Sequence, residues 1–133
     1  MDLKELYTVY DVLKQLRVTL SYEEFEDLIY DMRHMDYKMI GLLHRGELIT
    51  YAGVAIQTNL YHKRHLYVFD LVTDEKFRGQ GYGYAMLEYL VDFAKTGMCE
   101  NIVLSSGFTK EDAHKFYEKQ GFKKKSFVFL KTL

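Results

Sequence analysis

The stretch from Leu66 to Thr96 constrains this chain more than any other. An apolar strand, Leu66 to Thr73, runs through a short loop into Arg78-Gly79-Gln80-Gly81-Tyr82-Gly83, and a helix from Gly81 to Thr96 follows. Tyr84, Leu87, Leu90, Val91 and Ala94 face one way on that helix, with Glu88, Asp92 and Lys95 opposite. Gly97 stands where a C-cap belongs. A strand feeding a glycine-rich turn and a helix start builds an anion site, because first-turn N–H groups lack internal partners and the helix dipole adds positive potential. Glycines let the backbone come close to a phosphate and adopt positive φ, and Arg78 adds a permanent forked cation at the lip. A phosphate-binding G-x-x-x-x-G-K-[ST] loop is excluded, since no Lys follows Gly83. A dinucleotide fingerprint is excluded too, since the spacing is G-x-G-x-G and Val103-Leu104-Ser105 stand where the acidic ribose partner should be.

The remaining pattern is that of one α+β domain spanning residues 1–133. Asp2 with Glu5 makes a capping box before a first helix, whose stripe is Leu3, Leu6, Tyr7, Tyr10 and Leu13. Arg17 to Leu20 connects it to a second helix, opened by Ser21 with Glu24, striped by Phe25, Leu28, Ile29 and Met32, and ending near His34 to Asp36. The period then changes to that of strands. Tyr37 to His44 and Leu48 to Leu60 flank an Arg45-Gly46 turn, and Gly53 inside the second run signals a bulge or a close backbone approach. Tyr61 to His65 reads as a polar loop. Asn101 to Ser105 is a short buried strand, Thr109 with Asp112 caps a further helix that stops at Gly121, and Phe122 to Leu133 closes the chain as a strand.

Composition narrows the function classes. A net charge of −1 from 18 basic and 19 acidic residues gives no global attraction to nucleic acid or anionic membrane. A single cysteine, Cys99, excludes an intrachain disulfide and a multi-cysteine zinc site, and it has no neighbouring cation in sequence to activate it. His62 and His65 have ligand-like spacing but no nearby acid or thiol, so no metal is expected. No apolar run is long enough to span a bilayer, and a charged start without an apolar stretch does not read as a signal peptide, so a cytoplasmic location is expected.

A second landmark follows the glycine turn: Ala113-His114-Lys115-Phe116-Tyr117-Glu118-Lys119-Gln120-Gly121-Phe122, an A-x-x-F-Y-x-x-x-G-F pattern. Together with R-x-x-G-x-G at Arg78 to Gly83, in this order and at this spacing, the sequence resembles the GNAT (GCN5-related) N-acetyltransferase family from about Tyr51 to the C-terminus. The resemblance implies that family's acyl-CoA N-acyltransferase fold: two N-terminal helices, a central mixed, mostly antiparallel sheet and two C-terminal helices. It implies acetyl-CoA as co-substrate, with Leu71, Val72, Thr73, Arg78, Gly79, Gln80, Gly81, Tyr82, Gly83, Tyr84 and Phe116 holding it. It makes Tyr117 the acid that protonates the leaving thiolate. Asp70, on the strand before the turn, is the first candidate to take the proton of the attacking amine, directly or through water.

Two positions depart from the family pattern, Glu75 in place of a proline and Lys110 in place of an asparagine, and no clear strand precedes the first helix, so the sheet should lack an edge strand. The implied acceptor is a primary amine of a small molecule or protein, the small molecule being favoured. Tyr22, Phe25, Tyr30, Asp31 and Tyr37 are acceptor-pocket candidates by position alone. A non-catalytic acyl-CoA-binding module of the same fold is the alternative reading. Exposed sheet edges and the aromatic excess point to a homodimer.

Overall fold

The structure, a computed structural model, describes residues 3–133. The Asp2 capping box therefore lies outside the described residues. The chain divides into two compact units, Met1–Val103 and Leu104–Leu133, which are described in turn.

The first unit opens with α1 (Leu3–Leu13) and α2 (Tyr22–Met32). Ser21 caps α2 as expected. Its hydroxyl accepts the Glu24 N–H at 3.1 Å while the Glu24 carboxylate accepts the Ser21 N–H at 3.2 Å. A 3-10 turn over Arg33–Met35 ends the helix, and Asp36, at φ 57°, turns the chain into the sheet. The predicted stripes face the core at Leu6, Tyr10, Leu13, Phe25 and Ile29, with differences at their edges. Val9, Val12 and Leu13 form the buried face of α1 while Tyr7 is exposed, and on α2 Phe25 is buried while Leu28 is exposed. Tertiary contact sets these differences: α1 packs on β2 and β3 as well as on α2, which recruits the valines that a single stripe leaves aside.

Four strands follow, β1 (Lys38–His44), β2 (Glu47–Asn59), β3 (Lys63–Thr73) and β4 (Asn101–Leu104), in the spatial order β1-β2-β3-β4. The first two pairings are antiparallel, and the β3–helix–β4 crossover completes a mixed sheet. No strand precedes α1 among the described residues, so the sheet starts at β1. Every residue from Leu48 to Ala55 in β2 is buried, which requires cover on both faces. Val9, Val12, Leu13, Phe25, Leu48, Tyr51 and Val72 make one cluster. Helix α3 (Tyr82–Thr96) supplies the other cover through Met86, Leu87, Leu90 and Ala94, while Tyr84 and Val91, expected on its inner face, are exposed. Gly97 is its C-cap, though the left-handed residue is the next one, Met98 at φ 60°.

The expected loop from Tyr61 to His65 is shorter than predicted. Strand β3 begins at Lys63, and His65 is buried in it with its ring nitrogen 2.8 Å from the Lys63 carbonyl oxygen.

The second unit contains α4 (Glu111–Lys119). Thr109 does not cap it. The N-cap is Lys110, which makes no capping bond, so the family's asparagine position is left without the acceptor an asparagine would supply. His114 is half-buried, with Nε2 2.8 Å from the Gly107 carbonyl oxygen. Gly121, at φ 90°, ends the helix where the sequence indicated. The closing strand is not formed. Residues 122–133 have no ladder partner among the described residues, and Phe127, Val128, Phe129 and Leu130 are exposed. Strand propensity without a partner leaves backbone hydrogen bonds unmade, and a strand is defined by those bonds.

Candidate active site

The bulge signalled by Gly53 organises the acid. Between β2 and β3 the register runs Gly53 opposite Asp70 and then Val54 opposite Val68, so Phe69 is the extra residue. A bulged residue falls out of the ladder, and the Phe69 carbonyl is taken instead by Arg17 Nη2 at 2.8 Å. The same guanidinium holds Asp70, with Nε and Nη2 each 3.1 Å from Oδ1. On the other side, the Tyr37 hydroxyl donates to Asp70 Oδ2 at 2.8 Å and lies 2.7 Å from the Tyr51 hydroxyl. Glycine is required at 53 because a Cβ there would overlap the Tyr37 hydroxyl. Burial, together with the Tyr51 hydroxyl and the Asp70 charge beside it, pushes the Tyr37 phenol far above its ordinary value. Burial does the same to Tyr51. Both phenols therefore stay protonated, Tyr37 donating to the acid and Tyr51 to the Tyr37 oxygen.

Beyond Asp70, β3 leads to Leu71, Val72 and Thr73, paired on one side with Ala52, Tyr51 and Thr50. The Thr50 and Thr73 hydroxyls meet at 3.1 Å. On the other side β4 offers four residues against the eleven of β3. It starts level with Arg64, whose carbonyl accepts the Glu100 N–H at 2.7 Å. Four residues starting level with Arg64 are too few to reach Leu71 to Thr73, which leaves the outward amides of that stretch open to a ligand. Such fixed donors can hold an extended amide chain or polarise a carbonyl.

The turn after β3 is braced at each step. The Asp74 N–H donates to the Ile49 carbonyl at 2.7 Å, and its buried carboxylate accepts the Lys76 N–H at 3.0 Å, closing the 3-10 turn Glu75–Phe77. Arg78 Nε donates to the Thr73 carbonyl at 3.0 Å and Nη2 to Gln15 Oε1 at 3.5 Å, and the side chain remains exposed at the lip of the turn. Gly79 and Gly81 have φ of 76° and 88°, with open space where a Cβ would stand, so conformation and not crowding demands glycine there. Gly81 is the N-cap of α3 with no side-chain capping bond, leaving the first-turn amides around Tyr82, Gly83 and Tyr84 available to an anion. Gln80 is exposed at the crest, and the Tyr84 phenol is held above its ordinary value by the Glu88 carboxylate.

The first unit thus brings together Asp70, Leu71 to Thr73 and Arg78 to Tyr84. Of the acceptor-pocket candidates it brings only Tyr37 to Asp70; Phe25 is core, and Tyr30 is occupied by Arg33, which stacks 3.6 Å from its ring centre. Tyr117 and Phe116 lie in the second unit. There the Tyr117 ring packs against Phe116 and Phe122 at 5.5 and 5.6 Å between centres, and burial pushes its phenol up.

Sequence reasoning missed Arg17, Tyr51 and Gln15. Gln15, in the turn after α1, accepts the Glu75 N–H at 2.8 Å. No local signal marks Arg17, which the sequence presents as part of a connection; the only hint at its setting was Gly53 interrupting a strand. His62 and His65 place their ring centres 5.3 Å apart, and no group of three or more metal-ligating side chains occurs among the described residues.

Comparison with known proteins places this geometry. The sequence matches the acetyltransferase (GNAT) family over residues 3–122. It is 31% identical over 126 residues to the uncharacterized N-acetyltransferase YhdJ of Bacillus subtilis (strain 168), covering 93% of this chain and 89% of that protein. It is 30% identical over 92 residues to an aminoalkylphosphonate N-acetyltransferase of Salmonella typhimurium, covering 68% of this chain and 60% of that protein. Among solved structures, an aminoglycoside N-acetyltransferase in complex with CoA shares the fold, with a TM-score of 0.84 at 13% identity, covering 100% of this chain and 91% of that one. With the family's glycine turn, its strand and its helix built from the residues that the sequence singled out, the chain belongs to the GNAT acetyltransferase family and is an N-acetyltransferase.

Proposed function

We propose that this chain acts as one domain over residues 1–133 and moves an acetyl group from acetyl-CoA to a primary amine of a small molecule. The observation that carries the donor is the turn itself: two left-handed glycines, a helix start without a side-chain cap and an exposed guanidinium suit a pyrophosphate. When bound, acetyl-CoA supplies the thioester; its pantetheine would lie along Leu71 to Thr73, whose amides would polarise the carbonyl. The remaining residues carried over with the turn, Arg78 to Tyr84 and Phe116, complete the cofactor set. Neither a metal nor a covalent acyl-enzyme enters this scheme.

The amine nitrogen attacks the thioester carbon, the C–N bond forms and the C–S bond breaks. The amine's proton passes to Asp70, directly or through water, and the thiolate takes a proton from Tyr117. A phenol whose pKa burial has raised remains protonated at neutral pH and can serve as that acid. The C-terminal segment outside the sheet, with exposed Phe127 and Phe129, supports a homodimer, and the proposal includes a cytoplasmic location.

The test is release of free CoA thiol from acetyl-CoA with amine acceptors, alongside calorimetric titration of acetyl-CoA. Wild type is expected to bind acetyl-CoA and turn it over. Tyr117→Phe and Asp70→Asn should each retain binding and lower kcat by about 100-fold, the usual size of a general acid or base contribution. Binding without transfer to any amine would instead favour the non-catalytic acyl-CoA-binding module.

A further inference from the structure

Asp70 has acceptor capacity left over, and its partner has donor capacity left over. An ionised carboxylate offers about four lone-pair positions. Arg17 Nε donates to Oδ1, with Nη2 in ion-pair range of the same oxygen, and Tyr37 donates to Oδ2, so one position on Oδ2 remains. Arg17 commits Nε and Nη2 to Asp70 and the Phe69 carbonyl, while Nη1 makes no bond among the described residues. The Arg17 side chain is 46% exposed and that of Asp70 13%, so the guanidinium presents its free edge to solvent beside a mostly covered carboxylate. An ion pair at such exposure adds little stability. The bulge nevertheless anchors the arginine by a carbonyl that a regular ladder would have consumed, which fixes its direction.

Resting on the acetyltransferase reading above, we infer that the acceptor is a zwitterion. Its ammonium is received at Asp70 and its carboxylate, phosphonate or phosphate at the free edge of Arg17. Asp70 and Arg17 sum to zero charge, and a zwitterion brings zero, so each charge meets its opposite. A simple alkylammonium would leave Arg17 unanswered, and a diamine would set a second cation against it. Arg17 and Asp70 are themselves in contact at 3.1 Å, so the groups that answer them span a short distance. That span suits an amine separated from its anionic group by two or three carbons. Arg17 is thereby the specificity-determining residue, and Tyr37 holds the carboxylate in place.

The experiment compares 2-aminoethylphosphonate and β-alanine with n-propylamine and 1,3-diaminopropane in the thiol-release assay. Wild type is expected to favour the anionic amines by about tenfold or more in kcat/KM, with the diamine poorest. Arg17→Ala should shrink that ratio to about twofold, acting through KM more than kcat, and Arg17→Lys should keep part of it because charge survives without the fork. Circular dichroism melting and acetyl-CoA titration of each variant show whether it is folded and cofactor-competent. Turnover with no preference for anionic amines, or a preference that survives in folded Arg17→Ala, overturns this inference and leaves the acetyltransferase reading standing. Acetyl-CoA binding with no turnover of any amine overturns both.

Discussion

Gly53 and Tyr37 act as one device, because the hydroxyl that steadies Asp70 lies in the space a side chain at 53 would occupy. Gly53→Ala should therefore destabilise the protein by about 1–3 kcal/mol as Tyr37 is displaced. Paired with Tyr37→Ala it should add almost nothing further, a non-additivity measurable by denaturant unfolding of both single variants and the double. Tyr37→Phe asks a different question. It removes the donor to Asp70 and leaves the buried Tyr51 hydroxyl without its partner, a loss of about 1–3 kcal/mol. None of this network was legible residue by residue. Arg17 and Asp70 are 53 positions apart and Tyr37 and Asp70 33 apart, so no local window contains the contact.

Elements whose stability is local were read well, and those that need a distant partner were not. The α2 capping box, the Arg45-Gly46 turn and the Gly121 stop all appear where their residues demanded. The glycine turn belongs with them, and its chemistry can be tested without touching packing. At φ 88° with open space around it, Gly81→Asn should fold with a loss near 1 kcal/mol or less, since asparagine tolerates the left-handed region. Gly81→Glu puts a negative side chain at the helix start and should abolish calorimetrically detectable acetyl-CoA binding while the thermal melt stays close to that of Gly81→Asn. By contrast, residues 122–133 have strand-forming composition and no ladder. The α1 stripe gained Val9 and Val12 and lost Tyr7 for the same reason, since the sheet chooses which apolar residues to cover.

The whole molecule should reveal its buried phenols at high pH. In the folded state Tyr37 and Tyr51 have raised pKa values. Below pH about 10 both folded and unfolded chains keep these protons, and stability does not depend on them. Above it the unfolded chain loses protons that the folded chain retains, so stability falls with rising pH by up to about 1.4 kcal/mol per unit for each phenol. Unfolding curves between pH 8 and 11 should show this decline, shallower in Tyr37→Phe. Size-exclusion chromatography with light scattering gives the assembly state. A dimer that becomes monomeric on Phe127→Ser and Phe129→Ser would place the exposed C-terminal segment in the interface.

The sequence by itself determined the fold class, the glycine turn and the helix that carries Tyr117. Glycine spacing, capping residues and apolar period act within a few residues and survive any packing. Only the tertiary structure decided what surrounds Asp70. That depended on a one-residue bulge in the β2–β3 ladder, which freed the Phe69 carbonyl for Arg17 and set Asp70 opposite a glycine that leaves room for Tyr37. Register is a property of paired strands, so the neighbours of the acid could not be fixed until the strands had met.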